Sequence, residues 1–98
     1  MLDLTFTAPL WLWKTDKSAW TFVTVPPEES DALHIFSPHK GGFGSVRVSV
    51  SIGNSRWKTS VFPSKERGGF ILPIKKSVRT AEKLSEGDTA RITLEVVA

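Results

Sequence analysis

The chain has 98 residues, a formal net charge of +3 and no cysteine. One domain of that length can bury a core without cross-links, and the missing thiols exclude disulfides, thiolate metal sites and cysteine nucleophiles together. A cysteine-free chain fits a cytoplasmic setting; the start MLDLTFTAPLWLWK carries Asp3 where a signal peptide carries bases, and no apolar run approaches the roughly 20 residues of a membrane span.

At the front, Leu2, Leu4 and Phe6 alternate with Asp3, Thr5 and Thr7, and LWLW (Leu10 to Trp13) is apolar on both faces. KTDKSA is then a hairpin loop, and WTFVTV is a second strand stopped by the double proline. PPEESDAL predicts a helix of two turns, with Glu28, Glu29 and Asp31 in the first turn where the helix dipole favours carboxylates.

SVRVSVSI, Ser45 to Ile52, alternates at the period of a half-buried strand, and Gly53-Asn54 suits a type II′ turn. SRWKTSVF should therefore return antiparallel with Val50 opposite Trp57. That register puts Val46, Val48, Val50, Trp57, Thr59 and Val61 on the core face and Arg47, Ser49, Ser51, Arg56, Lys58 and Ser60 on the other. After the strand GGFILP, IKKSVRTAEKL predicts a helix with an apolar stripe of Ile74, Val78 and Ala81 and with Lys75, Lys76, Arg79 and Lys83 on its polar side. A Gly87-Asp88 turn leads to the closing strand, whose Ala90, Ile92, Leu94 and Val96 point inward.

Residues 2–52 and 55–97 each run strand, loop, strand ending at proline, short helix and alternating strand, the order expected of an internal duplication. Two such halves predict an all-β pseudobarrel of about six strands with two short helices, pseudo-symmetric within one chain and monomeric.

The motifs KGGFGSVRV, IGNSRWKTSVFP, GGFILPIKKSVR and EGD, in order between Leu4 and Leu94, resemble the bacterial family called Domain of Unknown Function 1905. The resemblance implies a double-split β-barrel as in the AbrB/MazE swapped-hairpin proteins. It supplies a fold and little chemistry, since the activity of the family is unknown. Some relatives carry a C-terminal segment associated with bacteriocin protection; no such segment is expected here with the sequence ending at Ala98, and the link makes an accessory or interaction role one of the readings. Symmetrical binding of duplex DNA is disfavoured, because the first helix carries Glu28, Glu29 and Asp31 where the second carries Lys75, Lys76 and Arg79.

Charge is segregated along the chain. From Lys40 to Lys83 ten Lys/Arg stand against two acids, giving +8, while the remainder has three against eight, giving −5. A solvated face explains such a block; so does an anionic partner, either nucleic acid or an acidic protein surface, met by Arg47, Arg56, Lys58, Lys75, Lys76 and Arg79. In KGGFGS, Lys40 and the flexible Gly41, Gly42 and Gly44 suit backbone contact with an anion, or simply a turn at positive φ. A small-molecule site or a small enzyme near that loop and Trp57 is the alternative from another class. No catalytic residues emerge, and His34 and His39 lack the neighbours of a metal set, so neither metal nor cofactor is expected. Trp11 and Trp13 share one face of the first hairpin, which is a binding patch if exposed.

Overall fold

Gly53 sits at φ 55° while Asn54 keeps negative φ, so only the first central residue of the turn is left-handed, as a type II′ hairpin requires. The turn joins β3 (Val46–Ile52) to β4 (Ser55–Ser64), and the pairing runs from Ile52↔Ser55 through Val50↔Trp57 to Val46↔Val61, the register expected from the alternation. The computed structural model describes residues 2–36 and 44–97. Besides this hairpin it contains β1 (Asp3–Lys14), β2 (Ala19–Thr24), α1 (Pro27–Phe36), β5 (Gly69–Pro73), α2 (Lys76–Glu82) and β6 (Thr89–Val96).

The strands close into an antiparallel barrel in the order β1-β2-β5-β4-β3-β6. The order of elements is ββαβ followed by ββαβ. Exchanging β1 with β4, β2 with β5 and β3 with β6 leaves every pairing in the barrel unchanged, a twofold pattern in the hydrogen-bonding topology. β1 is one continuous strand of 12 residues whose first part pairs with β6 and whose last part, from Leu10, pairs with β2.

Inward parity on the strands supplies the core. Phe6, Ala8 and Leu10 meet Val23, Val46, Val48, Val50, Val61, Leu72, Ile92 and Leu94, all buried. Each such side chain fully withdrawn from water contributes about 1.5–3 kcal/mol of hydrophobic transfer free energy, offset by the ordering of the chain. On the polar face of β3, Ser49 is buried rather than solvated, and its Oγ accepts a hydrogen bond from Arg56 Nε at 3.3 Å.

Both helices depart from the predicted boundaries. α1 runs to ten residues, longer than two turns, with Leu33 buried beneath it. Its Ser30 is a built joint: Ser30 Oγ donates to the Val25 carbonyl and accepts from the Phe70 N–H, each at 3.0 Å. α2 begins only at Lys76, because Ile74 continues the strand parity of Phe70 and Leu72 and donates its N–H to the Thr21 carbonyl at 2.8 Å. Ile74 and Val78 are buried, but Ala81 is exposed and Leu84 packs on the core in its place. The exit turn explains the swap. Lys83 is left-handed at φ 55°, and the Leu84 N–H reaches back to the Arg79 carbonyl at 2.9 Å, a Schellman closure that swings Leu84 inward. The Gly87-Asp88 turn is then stitched to β1, with Gly87 N–H on the Leu10 carbonyl and Leu10 N–H on the Asp88 carbonyl.

Candidate functional site: a cationic cleft beside Trp20 and Trp57

A proline opens the barrel wall. β4 and β5 pair from Ser64↔Gly69 to Phe62↔Ile71, and continuing the register would set Ser60 opposite Pro73, which has no N–H to donate. Pairing stops there, β5 leans to β2 through the Ile74 hydrogen bond, and the earlier part of β4 is left without β5 beside it. The hairpin register fixes what that edge presents. Residues flanking a two-residue turn form a hydrogen-bonded pair, so Ser55, Trp57 and Thr59 turn their peptide groups toward β3, and Arg56, Lys58 and Ser60 turn theirs away. The Lys58 N–H and C=O therefore face the opening.

The opening is a cleft of about 640 Å³ between the β4 edge, the start of β2 and the entry to α2. Trp57, Lys58 and Thr59 form one bank; Pro73, Ile74, Lys75, Lys76 and Arg79 form another; Ser18, Ala19, Trp20 and Thr21 form the third. Among the described residues four cationic side chains line it and no carboxylate does. Arg79 is held in place by donation from Nε to the Ile74 carbonyl at 3.2 Å. Like charges gathered around a partly apolar hollow concentrate a positive potential where an anion would sit. A smaller groove of about 350 Å³ continues from Lys76 and Arg79 along α2 to Lys83 and Ser85.

The structure thus brings together Lys58, Lys75, Lys76 and Arg79 from the basic segment. Arg47 and Arg56 project from the outer face of the hairpin and do not line the cleft, since β4 stands between it and β3, and Arg56 is engaged by Ser49 near the turn. Lys40, Gly41 and Gly42 lie outside the described residues. Gly44 does take positive φ, 76°, as a turn at that position requires, and Gly68 before β5 has the same value. His34 is exposed and tilts its ring over Phe70 at 6.3 Å. Among the described residues no cluster of three or more His, Cys, Asp or Glu could hold a metal, and no helix is long and apolar enough to cross a membrane.

Sequence reasoning did not place Trp20 or Pro73 at the site. Trp20 is 53% exposed at the cleft, and its ring stacks on Phe22 with centroids 6.5 Å apart and planes 20° from parallel. Phe22 in turn meets Trp11 at 5.1 Å, and the Arg67 guanidinium lies 3.6 Å over the Trp11 ring. Arg67, Trp11, Phe22 and Trp20 make a continuous π ladder on the outer wall of β1 and β2, ending at the cleft. The shared parity of Trp20 and Phe22 with their cross-strand partners Trp13 and Trp11 was the available signal. Trp11 and Trp13 do face outward, Trp13 half exposed and Trp11 anchored by donation from its Nε1 to Thr24 Oγ1 at 2.9 Å.

A closed six-stranded antiparallel barrel with two short helices and a cation-lined opening in its wall is the class that this geometry defines. The family model described as Domain of unknown function (DUF1905) matches residues 6–94, and the chain belongs to that family. None of the curated proteins matches it.

Proposed function

We propose that this protein is a binding module that takes an anionic ligand in the cleft between Trp20 and Trp57. The observation that carries the reading is the lining itself: Lys58, Lys75, Lys76 and Arg79 converge, with no carboxylate beside them among the described residues. Neighbouring cations that repel one another in the free protein are relieved when an anion enters, so the attraction is strong at low salt and screened within about 10 Å at 0.1 M. Single-stranded nucleic acid is the partner class that a one-sided basic track suits best, because the acidic first turn of α1 disfavours a second, equivalent contact to a duplex. A small anionic metabolite is the second reading, favoured by the cleft volume, which falls within the roughly 300–1,000 Å³ of small-molecule sites.

Retention on an anionic polymer tests the proposal. Lys75→Glu with Lys76→Glu should release the protein at far lower salt than the parent, with the melting temperature nearly unchanged because both side chains are exposed. Arg47→Glu with Arg56→Glu, away from the cleft and equal in charge change, is the matched control and should elute much closer to the parent. Equal losses for the two variants would reduce the effect to net charge and remove the cleft from the account.

A further inference from the structure

The cleft pairs its cations with an aromatic surface of a particular kind. Trp20 is braced on one side by Phe22, and behind Phe22 the ladder runs through Trp11 to Arg67, so one ring contact favours a particular plane for the indole. Among the described residues the stacked ring contacts of the ladder end at Trp20, whose cross-strand partner is the half-exposed Trp13. Trp20 itself lines the cleft and remains half exposed. A flat, preorganised indole bordering a group of four cations suits a ligand that is both planar and charged. Inorganic phosphate or an acidic peptide would use the cations and leave the indole unoccupied; an uncharged aromatic would do the reverse. The exposed Lys58 peptide edge adds one donor and one acceptor, and the Thr59 hydroxyl adds another polar group on the same bank. These are the groups that read the rim of a nitrogen heterocycle.

We infer that the ligand unit is a nucleotide, with its base stacked on Trp20 and its phosphate held among Lys58, Lys75, Lys76 and Arg79, an inference that rests on the cleft being the anion site proposed above. The groove from Lys76 and Arg79 to Lys83 gives a following phosphate a place along α2, so a single strand can extend from the same unit. Base stacking on an aromatic platform is sequence-tolerant, and the inference therefore concerns nucleotides as a class.

The test compares ligands of equal charge with and without bases. Titrations of the whole chain at low salt use an octameric deoxyadenylate against inorganic polyphosphate of matched charge and a matched Glu peptide, and ATP against tripolyphosphate. The expected result is about tenfold or greater preference for the base-bearing member of a pair, the scale of one base stacked on an aromatic ring. Trp20→Leu should erase that preference and leave polyphosphate affinity within about twofold. Trp20→Phe keeps a ring and should retain most of the preference, and thermal melts of both variants check that the barrel is intact. Octamer much tighter than ATP assigns a single strand as the source; similar affinities assign a free nucleotide; either supports the inference. Equal binding of octamer and polyphosphate, tighter binding of the Glu peptide, or a preference that survives Trp20→Leu would overturn the nucleotide assignment while leaving an anion cleft. No binding of any anion would overturn both.

Discussion

Trp20 and Trp57 line one cleft from opposite banks, the first 53% exposed on the ladder of outer rings and the second 9% exposed with its indole in the core. Two residues of the same type therefore carry different duties. Trp57→Ala should lower stability by about 3–5 kcal/mol, the usual cost of truncating a buried Trp. Trp20→Ala should cost about 0.5–1.5 kcal/mol, the worth of its stacking partner. Urea unfolding curves of the two variants give both numbers, and equal values would contradict the assignment of one indole to the core and the other to the site.

Ser30 and Gly69 form a second coupled pair. A Cβ on Gly69 would stand 2.5 Å from Ser30 Oγ, the atom that serves both Val25 and Phe70. Ser30→Ala leaves the Phe70 N–H without its acceptor and should cost about 1–3 kcal/mol. Gly69→Ala should destabilise as well, by displacing that hydroxyl. Combined, the two changes should cost less than their sum, because removing the hydroxyl removes the clash. Strict additivity in a double-mutant cycle would show that the crowding at Gly69 is of no energetic consequence.

The two left-handed turns should respond in opposite directions. Lys83 pays the steric cost of an L residue at φ 55°, so Lys83→Gly should stabilise by about 1 kcal/mol. Gly53 has the same φ and faces the Glu82 carboxylate, which accepts a hydrogen bond from Ser55 Oγ at 2.6 Å. Gly53→Ala should therefore destabilise by at least about 1–2 kcal/mol, from backbone strain alone. Thermal melts with the signs reversed would refute the geometry of both turns, the β3–β4 hairpin at Gly53 and the exit from α2 at Lys83.

Strand identities and the β3–β4 register were legible because alternation and the Gly53-Asn54 turn are local signals, and Val50 faces Trp57 as the sequence predicts. The start of α2 was not. Ile74 fits a helical stripe with Val78 in sequence, yet its N–H is claimed by Thr21, on a neighbouring strand that is distant in sequence. The site was half legible for the same reason. Lys58, Lys75, Lys76 and Arg79 stood out as cations, but their meeting with Trp20 depends on how β2 lies beside α2, which no window of the sequence contains.

Each strand finds its neighbours within one chain, and the stretch of β4 edge left open at the cleft is flanked by α2, so sedimentation equilibrium should report a monomer at micromolar concentration. A dimer that dissociates on Trp13→Glu would instead assign the outer aromatic wall, where Trp13 is half exposed, to self-association.

The most direct measurement of the central claim, that the cleft is the anion site, is a 15N-resolved NMR titration with short-chain polyphosphate at low salt. The amides of Lys58, Thr59, Lys75 and Lys76 and the indole N–H groups of Trp20 and Trp57 should shift together and saturate. The Trp11 indole N–H, committed to Thr24, and the amides of Glu28 and Glu29 should stay still. Shifts centred on Arg47 and Arg56, or spread evenly over every Lys and Arg, would contradict the account.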